Sequence, residues 1–183
     1  MFATVFIWGC ERFHIYNYTK EYYFLSEEAL TQGDMSIFAV KEIIASLPRK
    51  NFDACIDLGS GNGLLLFTLN QFLNLPVKGI EISSKYYEIS KRLFAVFKMN
   101  SDRICLGDMS GYMLNGRSLV FVAATCLSEE TVQIVSKRCE NLEKNAVVVS
   151  LSIPVQSHYF KLLSKQELPM TWGNCTVFIQ ERL

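Results

Sequence analysis

A glycine-rich turn between two apolar runs constrains this chain more than any other feature of its sequence. Apolar residues 54–56 lead into residues 57–63, Asp-Leu-Gly-Ser-Gly-Asn-Gly, and a second apolar run, residues 64–67, follows at once. Glycine lets the backbone turn sharply and pass close to a ligand, where a Cβ atom would collide. A helix start presents unpaired N–H groups to an electronegative ligand group. The segment therefore predicts a strand, a ligand-binding turn and a helix.

The spacing of the three glycines separates this turn from the nicotinamide-dinucleotide pattern. Gly59 and Gly61 fit the sequence G-x-G-x-x-G, but Gly63 comes one residue early and Leu64 stands where the third glycine belongs. An acid, Asp57, lies two residues before the first glycine. An acid followed by G-x-G-x-G resembles motif I of the class I S-adenosylmethionine-dependent methyltransferases. The resemblance implies S-adenosylmethionine as the cofactor.

This resemblance implies a role for each part of the turn. The cofactor has a zwitterionic methionine end, whose carboxylate would approach backbone N–H groups of the turn and whose ammonium would approach Asp57. The implied cofactor contacts within the turn are Gly59, Ser60, Gly61, Asn62 and Gly63.

Two further acids stand at the ends of the next two predicted strands. Glu81 lies 22 residues after Gly59, where an acid binds ribose hydroxyls, and Ile82 follows it. Asp108 ends the next strand, where an acid reaches the adenine amino group and the following residue, Met109, packs on the ring. Three acids at successive strand ends support a cofactor site, because a ligand lies along that edge of the sheet. The alternative is that the acids cap three helices by chance.

Strands and helices alternate along the chain, which predicts a doubly wound α/β sheet. The predicted strands cover about residues 53–58, 77–82, 103–106, 118–124 and 146–153, with helices over 36–47, 62–74 and 84–99 and another beginning at Ser128. Two final strands, within 159–170 and over 175–180, are joined through Pro169 and Gly173 and pair antiparallel. We expect a mostly parallel, seven-stranded, Rossmann-like methyltransferase sheet over residues 36–183, preceded by an aromatic-rich extension or lid over residues 1–35.

Composition bounds the function classes. The chain has 183 residues, half of them apolar, and a formal net charge of zero. No basic block is present, so strong non-specific attraction to nucleic acid is not supported. The apolar run over residues 1–10 is too short to span a bilayer, and we expect no membrane partner and a cytoplasmic location. None of the six cysteines forms a Cys-x-x-Cys pair, and His14 and His158 lack partners at metal-ligand spacing, so no metal site is predicted.

From about Tyr16 to residue 183 the sequence resembles the disruptor-of-telomeric-silencing family, which are histone lysine methyltransferases without a SET fold. The matching segments are residues 56–61, 79–81, 107–108, 120–122, 171–172 and 176–179. The resemblance implies a protein lysine as the methyl acceptor, and a nuclear location if that protein is a histone. Residues 31–36 lie where that family has a Tyr-Gly-Glu loop, with Asp34 in place of the glutamate, and the resemblance places Asp34 and Ala123 among the cofactor contacts. The chain departs from the family at Ala123 and Ala124, where the family has two asparagines.

Methyl transfer is an in-line displacement that needs positioning and exclusion of water more than an acid or base. Aromatic rings suit a lysine channel. The aromatic candidates for the acceptor site are Tyr16, Tyr18, Tyr22, Tyr23 and Trp172, and packing over the sheet edge is their alternative role. Thr125 and Cys126 follow the fourth strand, where catalytic groups lie in this fold, although a neutral loop explains them equally well.

Residues 123–126 also disfavour two nucleic-acid reactions. They lack the Asn/Asp-Pro-Pro-Tyr/Phe motif of adenine methylases, and no Pro-Cys dipeptide supports Cys126 as a cytosine-type nucleophile. Three functions stay open: a protein lysine methyltransferase, a small-molecule or RNA methyltransferase, and an inactive module that keeps the cofactor fold. The sequence does not reveal the oligomeric state.

Overall fold

The structure, a computed structural model, describes residues 35–183. Four helices of ten or more residues cover α1 (Ile37–Ser46), α2 (Leu64–Leu73), α3 (Ser84–Val96) and α4 (Glu129–Cys139). Seven strands cover β1 (Cys55–Leu58), β2 (Val77–Glu81), β3 (Ile104–Leu106), β4 (Leu119–Ala123), β5 (Val147–Leu151), β6 (Phe160–Met170) and β7 (Gly173–Arg182). Short 3-10 turns follow β3 and β4, at Met109–Gly111 and Ala124–Cys126.

The strands form one seven-stranded sheet in the order β3-β2-β1-β4-β5-β7-β6. The first five strands of that order run parallel, whereas β7 runs antiparallel to both β5 and β6. After β3 the chain crosses to the other side of β1, so β1 and β4 are neighbours at the switch point of the sheet. A ligand crevice forms outside the carboxyl ends of the strands at such a point. The predicted doubly wound sheet with a C-terminal antiparallel hairpin is confirmed.

The two faces of the sheet bury different residues. Ile56, Leu58 and Ile80 belong to an apolar cluster that also includes residues of α4. Because side chains alternate along a strand, Asp57 and Glu81 face the opposite side of the sheet. β1 and β2 are paired neighbours, so these two acids share one face close to the carboxyl edge.

The helix after β4 begins with the N-cap residue that the sequence predicts. The Ser128 hydroxyl accepts a hydrogen bond from the Thr131 N–H, 3.2 Å away, and caps α4. Glu129 and Glu130 lie in the first turn, where their charges interact favourably with the helix dipole. The predicted start at Ser128 is confirmed.

The C-terminal hairpin differs from the prediction at its turn. Pro169 pairs with Asn174 and Met170 pairs with Gly173, so the turn is formed by residues 171 and 172 instead. Proline is tolerated inside β6 because β6 is an edge strand with one side unpaired. The hairpin continues past the last β5–β7 pair, Leu151–Val177, by the length of residues 173–176. At roughly 3.4 Å per residue it extends about 14 Å beyond the carboxyl edge of β5.

Gly79 in β2 allows the glycine-rich turn and α2 to pack closely on the sheet. A Cβ atom at this position would lie 2.4 Å from Leu66 Cδ1 and 2.6 Å from Ser60 Oγ. Neither distance is possible without movement, so the absence of a side chain at Gly79 sets the depth at which the turn lies.

We expect Gly79→Ala to lower the free energy of unfolding by about 1–3 kcal/mol, because the added methyl group overpacks the contact between β2 and the turn. Gly107→Ala is the matched control, since a Cβ atom there would lie 3.5 Å from its nearest neighbour, Ile80 Cδ1, which is an ordinary contact. Thermal or urea unfolding measures both variants. Equal stability of the two would contradict this account of Gly79.

Candidate functional site

The turn after β1 depends on glycine at three positions. Gly59, Gly61 and Gly63 have φ angles of 80°, 53° and 77°, in the left-handed region that other residues rarely adopt. The N–H groups of Gly59 and Ser60 donate to the Ile80 carbonyl oxygen, at 3.0 and 2.9 Å. The turn is therefore attached to β2 as well as to β1.

The N–H groups of this turn are bonded within the protein. The Gly61 N–H donates to Glu81, the Gly63 N–H donates to the Ser60 carbonyl oxygen, and the Leu64 N–H donates to Asn62 Oδ1. Together with the bonds of Gly59 and Ser60 to β2, these contacts give five N–H groups of residues 59–64 a partner within the protein. These five groups are therefore not the unpaired donors that were expected to bind the ligand carboxylate. What the glycines provide is close approach to the backbone.

The Glu81 carboxylate links the end of β2 to the turn. Its Oε2 atom accepts a hydrogen bond from the Gly61 N–H at 2.7 Å, and its Oε1 atom accepts from the Ser83 N–H at 2.8 Å. Burial raises the pKa of this carboxyl group, and the N–H donors oppose that effect. A carboxylate has about four acceptor sites, so Glu81 keeps capacity for ligand hydroxyl groups.

Asp57 lies beside Glu81 and is 3% exposed. Burial, and after it the charge of Glu81, raises the pKa of Asp57 to about 8. Within residues 35–183, no salt bridge includes either carboxylate. Two neighbouring carboxyl groups with little access to water favour a cationic ligand group, whose charge would offset the cost of ionising them there.

The loop after β3 lies next to the turn. The Gly107 N–H donates to the Glu81 carbonyl oxygen at 2.9 Å, and Met109 Cε lies 3.0 Å from the position that a Cβ atom on Gly59 would take. Asp108 is exposed, and its Oδ1 atom caps the following 3-10 turn by accepting from the Ser110 N–H at 2.8 Å. The structure thus brings Met109 onto the turn, while the Asp108 side chain has a local capping role.

Ile82 and Ala123 border the same region. Ile82 directly follows Glu81 and is 39% exposed. Ala123 ends β4, one residue beyond Val122, the partner of Leu58 in β1. Both lie at the carboxyl ends of strands that border the crevice.

The two alanines after the fourth strand have different environments. Ala124 is 3% exposed and belongs to the apolar cluster that includes Val132 and Val135 of α4. An asparagine amide there would lie in apolar surroundings, at a cost unless it were hydrogen-bonded. Thr125, the next residue, is exposed, and its Oγ1 atom accepts a hydrogen bond from Ser152 Oγ at 3.0 Å. Thr125 is therefore the first exposed polar group after β4.

Other predicted site residues lie elsewhere or outside the described range. Trp172 is at the tip of the β6–β7 hairpin and is 39% exposed. Cys126 is partly buried in the 3-10 turn, and the His158 ring packs against Tyr159. Tyr16, Tyr18, Tyr22, Tyr23, Asp34 and His14 lie outside residues 35–183, as does nearly all of the predicted extension over 1–35, so these stay predictions.

Neither a metal cluster nor a membrane span is found in the part of the chain that the structure describes. No group of three or more histidine, cysteine or acidic side chains there could hold a metal ion. The helices of that part are too short or too polar to cross a bilayer. The cytoplasmic location stays a prediction.

Ser90 contributes to the site and was not identified from the sequence. Its hydroxyl donates to the Gly61 carbonyl oxygen at 2.8 Å, and a Cβ atom on Gly63 would lie 2.8 Å from Ser90 Oγ. Ser90 is fully buried on α3, beside Tyr86 and Phe94. A lone serine on the apolar face of a helix was the available signal.

Three solved structures show what this chain resembles. It matches TrmN from Thermus thermophilus at a TM-score of 0.71 and 12% identity, over 85% of this chain and 52% of that one. An RNA methyltransferase from Salinibacter ruber, in complex with S-adenosyl-L-homocysteine, matches at a TM-score of 0.62 and 17% identity, over 80% of this chain and 89% of that one. The mitomycin 7-O-methyltransferase MmcR matches at a TM-score of 0.61 and 13% identity, over 81% of this chain and 54% of that one. The chain has the class I methyltransferase fold.

At these identities the class I methyltransferase fold is what the comparisons establish. The chain spans about half the length of TrmN and of MmcR. No protein-family model matches it, and no curated protein resembles it significantly. None of the three matches described here points to the disruptor-of-telomeric-silencing family, so that finer resemblance gains no support.

We expect Asp57→Asn to stabilise the unliganded protein. The pKa of the native carboxyl group is about 8, whereas the unfolded group loses its proton near the ordinary pKa of 3.8. The native state therefore binds more protons between these values, and stability falls as the pH rises through them. At pH 7 the substitution should raise the free energy of unfolding by on the order of 2–4 kcal/mol.

Urea unfolding at several pH values from about 5 to 8, between the unfolded and native pKa values of Asp57, measures this effect. The stability of the wild type should decline more steeply across the range than that of Asp57→Asn. Asp53→Asn, which changes an exposed acid just before β1, is the control and should follow the wild type. Parallel curves for all three proteins would show that Asp57 is not held protonated by burial.

Proposed function

We propose that this protein is an S-adenosylmethionine-dependent methyltransferase. The observation that carries the proposal is the pair of buried acids on one face of the sheet, Asp57 and Glu81, with Glu81 bonded to the glycine turn through the Gly61 N–H. The class I methyltransferase fold supports it, as does the matched Salinibacter ruber enzyme, which was solved with S-adenosyl-L-homocysteine.

The residues present fit the charges and polar groups of this cofactor. Asp57 would bind a cationic group, the ammonium of the methionine end, and Glu81 would accept hydrogen bonds from the ribose hydroxyls. Met109 would lie beside the adenine ring, as a flexible apolar side chain over the turn can. The glycines keep the crevice free of Cβ atoms.

Cofactor binding and the protonation of Asp57 are coupled in this proposal. A cation placed beside Asp57 lowers the pKa of its carboxyl group, so binding near neutral pH releases a proton. Bound S-adenosylmethionine supplies a methyl group already activated by the sulfonium charge. The protein then contributes orientation and exclusion of water, which can account for most of such a reaction without a metal or a strong base.

For the methyl acceptor, we propose a small molecule, with RNA as the second candidate. A zero net charge and the absence of a basic block disfavour a polyanion and favour a small acceptor. The RNA candidate is supported by the Salinibacter ruber RNA methyltransferase, and the small-molecule candidate by MmcR. A protein lysine acceptor has no support from the structural matches described above, and the buried Ala124 stands where the disruptor-of-telomeric-silencing family has an asparagine.

Cofactor binding can be measured by calorimetry with S-adenosylmethionine and S-adenosyl-L-homocysteine. The wild type should bind both, and Glu81→Gln should bind at least about tenfold more weakly, because the amide loses one acceptor in the buried site. Glu88→Gln is the control, since Glu88 is an exposed glutamate paired with Lys91 on α3. Failure of the wild type to bind, or equal affinity of Glu81→Gln, would overturn the cofactor assignment.

Transfer of a radiolabelled methyl group to a cell lysate tests the acceptor. We expect label in the small-molecule fraction or, for the second candidate, in the RNA fraction. Label confined to protein would contradict both acceptor proposals and restore the lysine interpretation. Binding of the cofactor with no label in any fraction would show an inactive module.

A further inference from the structure

Ser152 has a backbone conformation that its residue type disfavours. It follows the last residue of β5 with a φ angle of 66°, in the left-handed region. The other non-glycine residues with positive φ in the described part of the chain are Asn74, Lys98 and Asn145, which lie at helix ends or in the turn before β5. Glycine would adopt the Ser152 backbone without strain, so the hydroxyl is what serine adds here.

The Ser152 hydroxyl lies between two other side chains. Its Oγ–H donates to Thr125 Oγ1 at 3.0 Å, and its Oγ atom lies 3.3 Å from Cys175 Sγ. A hydroxyl has one proton, and that of Ser152 is given to Thr125. The single proton of the Cys175 thiol has two acceptors within reach, Ser152 Oγ at 3.3 Å and the Thr176 carbonyl oxygen at 3.6 Å. Because Thr125 accepts from Ser152, the proton of the Thr125 hydroxyl can be donated elsewhere.

These three residues come from three neighbouring strands at the carboxyl edge of the sheet. Thr125 follows β4, Ser152 follows β5, and Cys175 lies in the part of β7 that extends beyond Leu151. Cys175 is buried and Ser152 is partly buried, whereas Thr125 is exposed. The hydrogen bonds therefore run from the interior towards a surface hydroxyl beside the β1–β4 switch point.

The Ser152 backbone is also held from β7. Its N–H donates to the Thr176 carbonyl oxygen at 2.8 Å, which places Ser152 against the projecting hairpin. Both the main chain and the side chain of Ser152 are thus held, and the bond that Thr125 Oγ1 accepts restricts the directions in which the Thr125 hydroxyl proton can point.

We propose that Thr125 contacts the methyl acceptor and that Ser152 is the positioning residue that directs the Thr125 hydroxyl proton towards it. This inference rests on the proposed methyltransferase function and narrows its acceptor. The acceptor presents an oxygen or nitrogen lone pair to Thr125, as a carbonyl, hydroxyl or aromatic ring nitrogen does. A reacting lysine is a neutral amine whose single lone pair attacks the methyl group, so it has no second lone pair to accept from Thr125 and does not fit.

Three variants test the proposal in the transfer assay with radiolabelled S-adenosylmethionine and the lysate fraction that the wild type labels. Ser152→Gly removes the hydroxyl and relieves the backbone, so its melting temperature should not fall. Thr125→Val removes the donor while keeping the shape of the side chain, and Thr125→Ser restores the donor. A dilution series of the fraction gives the apparent KM and kcat of each.

Ser152→Gly and Thr125→Val should each lower kcat/KM by about tenfold while the affinity for S-adenosylmethionine stays unchanged. Thr125→Ser should recover the wild-type rate. Thr176→Val is the control, because the Thr176 hydroxyl bonds only to Glu167 on the hairpin surface among the described contacts. It should transfer methyl groups like the wild type.

The outcomes separate this inference from the function on which it rests. Wild-type rates in Ser152→Gly and Thr125→Val, with the cofactor bound, would overturn the positioning role and leave the methyltransferase proposal standing. Loss of S-adenosylmethionine binding in Ser152→Gly would show that Ser152 has a structural role, which would also overturn the positioning role. A wild type that binds no cofactor or transfers no methyl group would overturn both proposals.

Discussion

The hydrogen bond between the Glu81 carboxylate and the Gly61 N–H is the contact on which the site depends. It joins the end of β2 to the middle of a turn that has three glycines in the left-handed region. The Ile80 carbonyl oxygen and the Ser90 hydroxyl hold the same turn from the adjacent strand and helix. Gly79 sets how deeply the turn lies. Crevice shape is thus fixed before any ligand arrives.

This arrangement places two acids where water can scarcely reach them. Asp57 and Glu81 are each 5% exposed or less, and their burial disfavours the charged forms that a cationic ligand needs. Stability and function therefore oppose each other at these residues, as they often do at sites prepared for a charged ligand. A bound cation would resolve the conflict locally, so ligand binding and fold stability are coupled through Asp57.

Local patterns predicted the sheet, the turn and its acids, because alternating apolar runs and glycine spacing are local signals. Local patterns could not predict contacts between residues that are distant in the sequence. Ser90 looked like an ordinary helical serine, and the bond from Ser152 to Thr125 joins residues that only the β4–β5 pairing brings together. Pro169 was placed in a turn because proline usually ends a strand, whereas an edge strand accommodates it.

The position of β7 between β5 and β6 has a consequence for folding. β5 is buried along its whole length, yet its second neighbour is made from residues 173–182. During synthesis a hydrophobic strand therefore stays open to association with other chains until residue 182 has left the ribosome. Once β7 is inserted, the exposed border is β6, whose Lys161, Lys165 and Pro169 discourage such pairing.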